Sequence, residues 1–322
     1  MPFPSILSRL DRLPESTRLR RGVAVAVVAT QGLIAVTGSV VRVTASGLGC
    51  PTWPQCFPGS MVPVEHPEYA ALNQWIEYGN RLFTGVVGIV AIAAFVLAYR
   101  SRPRRDRYLR LAAAMPIGVL VQAVLGGITV RMDLLWWTVA VHFLVSAVMV
   151  WLATLHLAAV DEGDERPRPL APAPVRPLLA VLAALLVGLL TGAGPHAGDP
   201  QTPRLALPLP TLAHTHTAFL YAFLGCLAVI GVLLATGRVG RRLWLRFGVL
   251  VVVVCAQGTL GFVQYALGVP ELLVSLHVLG AMLVITATAL LWCGARDRGP
   301  RPEITETGSS RAGDHTEGLT VA

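Results

Sequence analysis

The sequence predicts an all-α polytopic membrane protein: eight transmembrane helices forming two four-helix bundles related by a parallel repeat, with both termini cytoplasmic. Three observations carry this. Of the 322 residues, 54% are hydrophobic and only 14% charged, and the mean hydropathy is +0.63. That is too little charge to cover a water-soluble surface of this size. Apolar runs of about 20 residues, the span of a bilayer's hydrocarbon core, recur along the whole chain. All 26 basic residues are arginines and are strongly biased to alternate loops: 22 fall on one side of the spans, against Arg42, Arg131 and Arg204 on the other. The positive-inside rule makes the arginine-rich side cytoplasmic. The same distribution accounts for the net charge of +8 without nucleic acid.

The elements follow in order. Residues 1–22 form a cytoplasmic segment rich in arginine. The first span, 23–43, is longer than a signal-peptide core and is read as a retained anchor. The second, 75–98, opens with Glu77, Asn80 and Arg81, residues that hydrocarbon does not favour. The third, 111–130, contains Gln122-Ala-Val-Leu-Gly126, and the fourth, 135–157, contains His142. A cytoplasmic linker, 158–175, carries the acidic run Asp161, Glu162, Asp164 and Glu165, which reads as a solvated turn. The second half, 176–293, holds spans 176–194, 212–236, 247–267 and 272–293. The tail, 294–322, is polar, rich in Gly, Thr and Glu, and expected to be disordered.

The halves repeat. Gln257-Gly-Thr-Leu-Gly261 in span seven matches Gln122–Gly126 at an offset of 135 residues, and each motif is followed by a histidine 20 residues after its glutamine, His277 and His142. Thr37-Gly38 and Thr191-Gly192 end the first span of each half. His216 in span six stands one residue out of register with Asn80 in span two. Four spans per repeat is an even number, so the halves share one orientation and their axis runs along the membrane normal.

Ionisable residues inside spans are costly and mark ligands, relays or pathways. His142, His216 and His277 lie at one depth near the outer ends of their helices, an arrangement suited to axial ligation of heme iron in a bundle. His214 competes with His216 but points to nearly the opposite side of the helix. His156, near the cytoplasmic end of span four, reads as structural, at a helix terminus that favours a cation.

Four motifs give the chain a resemblance to the heme A synthase family: "VTG" ending span one, "ASGLGCPTWPQC" after it, "EYGNR" opening span two and "TGAGPHAGD" after span five. The resemblance extends from Val23 to Cys293. It implies an eight-helix enzyme of the cell membrane that oxidises a ring methyl of heme O to a formyl group, giving heme A for cytochrome oxidase, with heme b as resident cofactor. His216 and His277 match the family's heme b ligands, and His142 matches a ligand to the substrate heme. Glu77 and Arg81 match a Glu-x-x-His-Arg motif implicated in the oxidation. The sequence departs from that motif at Asn80, where many members have histidine. An asparagine amide is a poor iron ligand, so His142 alone would leave one face of the substrate iron open. The resemblance also implies partners: the prenyltransferase that makes heme O and a quinol or other electron donor. Homo-oligomer formation is left open.

Glu77 and Arg81 also read as an i, i+4 ion pair at a helix entrance, acid first, which needs no substrate. Cys50 and Cys56 lie on the outer, oxidising side and are expected to form a disulfide that staples the loop. Neither belongs to a Cys-x-x-Cys-His heme-attachment motif. Cys226, Cys255 and Cys293 are in-span packing residues. Two rival functions remain at this stage, a membrane b-type cytochrome carrying electrons and a heme transporter or chaperone. Glu77 discriminates, because a carrier needs axial ligands but no carboxylate beside the heme. A heme O-forming prenyltransferase is disfavoured, since no loop carries an Asp-rich diphosphate motif.

Overall fold

The computed structural model describes residues 16–193 and 209–301, and each predicted span is a helix in it. In chain order these are α1 (Thr17–Val43), α2 (Ala71–Arg100), α3 (Asp106–Arg131), α4 (Trp136–Ala159), α5 (Val175–Ala193), α6 (Leu209–Thr236), α7 (Arg241–Ala266) and α8 (Glu271–Gly294). Two short strands, β1 (Arg168–Pro169) and β2 (Arg296–Asp297), pair antiparallel on the arginine-rich side. Residues 1–15, the loop after α5 and the tail beyond Arg301 lie outside the described residues; of the tail expected to be disordered, residues 294–301 are described and carry β2, which is ordered by pairing with β1.

Seven of these helices are long and apolar enough to cross a membrane. The fifth predicted span is shorter: its apolar stretch covers Val175–Thr191, at the low end of what a bilayer core requires. Lipid-facing positions are apolar, and Ile89, Leu120, Val252, Phe262 and Leu272 are all strongly exposed. So continuous an exposed apolar surface marks a membrane-embedded protein.

The repeat extends into the backbone. The turn joining α3 to α4 places Asp133 and Leu134 at positive φ, and the turn joining α7 to α8 does the same with Gly268 and Val269. The hydrogen bonds recur at the same offset: Leu134 N–H donates to Thr129 O, and Val269 N–H to Gln264 O. Leucine and the β-branched valine rarely adopt φ > 0, so both tight reversals depend on these helix-terminal bonds.

Helix contacts are less symmetric than the sequence. In the first half α1, α2, α3 and α4 close into a ring, each packing on the next and α4 returning to α1. In the second half α5 packs on α6 and α7 on α8, but α6 barely meets α7 and α5 barely meets α8. The first half has buried clusters of its own, around Ala24 and Tyr108 and around Val27 and Met115, but the two halves are not packed separately. One continuous core joins Ala35, Ala147 and Val150 of the first half to Leu182, Phe223, Leu250 and Ile285 of the second. The physical reason is that α8 packs against both α1 and α4 as well as α7, burying a shared apolar face.

The acidic linker is largely exposed, as expected of a solvated turn, and its carboxylates are paired as well. Asp161 pairs with Arg21, Glu162 with Arg107 and Glu165 with Arg168, while Asp164 accepts the Arg107 N–H. Arg105 completes the junction by donating to the carbonyls of Ala159, Val160 and Glu162, the last acceptors of α4 and its exit. The linker therefore ties α1 and α3 to the end of α4. His156 is not a terminal cation: it is fully buried, stacked on Tyr108 with ring centroids 5.2 Å apart, and neither ring nitrogen has a hydrogen-bond partner.

Candidate functional site

Two histidine-centred sites lie near the outer helix ends. In the second half, His216 on α6 and His277 on α8 face each other with ring centroids 6.3 Å apart. A carbonyl can only accept, so the 2.9 Å contact between His216 Nδ1 and Leu189 O places the imidazole proton on Nδ1. That leaves Nε2 as the free ligand atom, the arrangement in which a second bond orients a metal-binding histidine. His214 is exposed and directed elsewhere.

The repeated motif now has a physical meaning. Gln257 Nε2 donates to the backbone carbonyl of His277 at 2.9 Å, and Gln122 Nε2 donates to that of His142 at 3.3 Å. The glycine four residues after each glutamine makes room for the imidazole. A Cβ on Gly261 would lie 2.9 Å from His277 Cε1, and one on Gly126 would lie 3.5 Å from His142 Cε1. Glutamine thus fixes the helix turn that carries the histidine, and glycine lets the ring lie against the neighbouring helix. The sequence shows the spacing but not that the bond ends on the histidine's own carbonyl.

In the first half, Asn80 is held by Thr37 of α1, whose hydroxyl donates to Asn80 Oδ1 at 2.7 Å. Glu77 is almost completely buried. Its Oε2 accepts the Cys50 N–H at 2.7 Å, and its Oε1 accepts both Nε–H and Nη2–H of Arg81. Arg81 also donates from Nη1 to Thr52 O and Gln55 O, and from Nη2 to Cys50 O. All five N–H donors are used, on four acceptor oxygens, so the guanidinium is saturated by its own chain. The pair is therefore more than an i, i+4 bridge, because it grips the outer loop. Cys50 and Cys56 close that loop as a disulfide.

Glycines seat the same loop on the bundle. A Cβ at Gly49 would fall 2.5 Å from Asn73 O, and one at Gly127 would fall 2.5 Å from the Trp53 indole. Adjacent glycines in α3 thus serve two neighbours: Gly126 faces His142 and Gly127 faces Trp53. Arg131 Nη2 donates to Trp53 O at 3.2 Å. The sequence marks the loop as conspicuous, but the tryptophan–glycine contact is visible only in three dimensions.

Among the described residues no cluster of three or more His, Cys, Asp or Glu side chains could hold a bare metal ion. Two facing imidazoles suit an iron whose other four positions a porphyrin fills. With metal–nitrogen bonds of about 2 Å, such a pair holds its ring centroids roughly 6 Å apart, which His216 and His277 already meet. The residues fit a heme.

Comparison with known proteins points the same way. A heme A synthase of Symbiobacterium thermophilum is 31% identical over 145 residues, 45% of this chain and 45% of that protein. One from Alkalihalophilus pseudofirmus is 30% identical over 135 residues, 41% of this chain and 44% of that protein. Another from Exiguobacterium sibiricum is 30% identical over 173 residues, 52% and 56% respectively. The matched stretch therefore spans about half the length of these curated relatives. The COX15-CtaA family model, described as "Cytochrome oxidase assembly protein", matches residues 21–197, which include the outer loop, Glu77, Asn80, Arg81 and His142. This multi-pass membrane protein belongs to the COX15-CtaA family of cytochrome oxidase assembly proteins.

Proposed function

We propose that the protein is a heme A synthase of the cell membrane, an oxidoreductase that converts the ring methyl of heme O to a formyl group. The observation that carries this reading is the pair of unlike histidine sites. His216 faces His277, whereas His142 stands on the equivalent repeat motif with an amide, Asn80, at the level of the missing second histidine. The first arrangement saturates an iron and suits electron transfer. The second leaves a face open and suits a substrate heme.

Heme b, held by His216 and His277, would supply one-electron transfer when bound. The rest of the work falls to side chains of this chain. His142 holds the substrate heme from one side, and Asn80, engaged by Thr37, does not compete for its iron. Glu77 sits at the edge of this half with both lone pairs of Oε1 taken by Arg81 and one of Oε2 taken by the Cys50 N–H, so Oε2 would be the proton acceptor as C–H oxidation releases protons. Arg81, fully engaged, holds Glu77 and the disulfide loop in register rather than contacting a propionate. The loop excludes water from the outer end of the bundle.

The arginine distribution supports both termini being cytoplasmic, and the oxidising outer side accommodates the Cys50–Cys56 bridge. A prenyltransferase would supply heme O; dioxygen would serve as oxidant and oxygen source, with a quinol or comparable donor supplying the balancing electrons through heme b. Heme extraction and mass identification from the purified protein, co-expressed with a heme O-forming enzyme, tests the reading. Heme A together with heme b is expected. Heme b alone in cells that accumulate heme O would make the protein an electron carrier.

A further inference from the structure

A second cavity, of about 540 Å³, opens at the other end of the molecule, where α5 begins and α8 ends. Its walls include Pro169, Ala171, Arg176, Leu179, Trp292 and Arg296. Trp292 is 15 residues beyond His277 on α8, or ~22 Å along the helix. The cavity is therefore separate from both histidine sites.

The charges around it do not balance. Arg296 lies over the Trp292 ring at 4.3 Å, and among the described residues neither Arg296 nor Arg176 forms an ion pair. Three neighbouring carboxylates are already paired with other arginines, Glu162 with Arg107, Glu165 with Arg168 and Asp161 with Arg21, and Asp297 is exposed, accepts the Gly299 N–H and does not line the cavity. Burial lowers the Arg296 pKa; Cys293 opposes this, and the positive charges of Arg298, Arg107 and Arg176 add to it. Two cations thus share an apolar-walled cavity that provides them no anion, next to a tryptophan at the helix end, where amphipathic rings meet lipid headgroups.

We propose that this cavity binds the phosphate of an anionic phospholipid headgroup, with Arg176 and Arg296 as the phosphate ligands and Trp292 packing against the glycerol. Arginine suits this role because its planar fork matches phosphate oxygens. Basic pockets between helix ends on the arginine-rich side are a recognised form of lipid site. The apolar walls of Pro169, Ala171 and Leu179 favour an amphiphile over a free, fully hydrated phosphate.

The test is native mass spectrometry of the detergent-purified full chain titrated with phosphatidylglycerol, phosphatidylethanolamine or inorganic phosphate. Phosphatidylglycerol should bind in preference to phosphatidylethanolamine. Its affinity should fall roughly thirty-fold, about five-fold per arginine, in Arg176→Gln/Arg296→Gln. Arg176→Lys/Arg296→Lys, which retains the charge, should keep most of the preference and provides the comparison if the glutamine variant does not fold. Equal binding of the two lipids, or unchanged phosphatidylglycerol binding in the glutamine variant, overturns the proposal. Displacement of phosphatidylglycerol by millimolar inorganic phosphate would assign the cavity to a soluble anion instead.

Discussion

Gly261→Ala should selectively cost the protein its heme b. The new Cβ would lie 2.9 Å from His277 Cε1, about half an ångström inside ordinary carbon–carbon contact. His277 cannot easily yield, because Gln257 pins its carbonyl at 2.9 Å and axial ligation tolerates only a few tenths of an ångström. Overpacking of this kind costs about 1–3 kcal/mol, corresponding to heme retention weakened roughly 5- to 150-fold. Two controls belong to the same experiment. Gly126→Ala puts its Cβ at 3.5 Å from His142 Cε1, an ordinary contact, and Gly258→Ala on the same helix as Gly261 meets nothing within 4 Å. Alanine raises intrinsic helix propensity at all three sites, so loss of fold is not the expected cause. The assay is the heme-to-protein ratio and the reduced-minus-oxidised spectrum of the purified variants. Full heme b content and an unaltered low-spin spectrum in Gly261→Ala, or an equal loss in Gly258→Ala, would refute the steric argument.

Three further outcomes are expected. Glu77→Gln should retain heme b and insert normally, since an amide costs less to bury than a carboxylate, while heme O or a hydroxylated intermediate accumulates; heme A formation at the parent rate would reduce Glu77 to a loop anchor. Arg81→Lys keeps the charge but offers three donors where five are used, so at least two charged hydrogen bonds are lost, and thermal unfolding should show destabilisation of about 3 kcal/mol; an unchanged melting temperature would mean that the loop does not depend on the clamp. Cys50→Ser and Cys56→Ser should behave alike, each giving up about 2 kcal/mol of loop constraint and lowering yield or heme occupancy; total inactivity of fully heme-loaded variants would instead indicate a redox role.

The sequence by itself determined the number, order and approximate limits of the helices, because a bilayer demands long apolar runs and arginine marks one side. It also brought out the repeat and its histidines, because Gln122–Gly126 and Gln257–Gly261 recur with the same spacing to His142 and His277. What those residues touch is fixed by the packing of the helices. Spacing along one helix cannot reveal that a glutamine reaches a carbonyl on the next, that Gly127 receives Trp53, or that Leu189 orients His216, because each is a contact between separate elements. The same limit applies to the acidic linker, which is exposed as its composition suggests but whose pairing of Asp161 with Arg21 and Glu162 with Arg107 depends on α1 and α3 folding beside it. It explains the shared core too. Hydropathy shows that a helix is apolar all round but not whether its neighbour is lipid or protein, and the packing of α8 against both halves is settled by shape, which one-dimensional patterns do not encode.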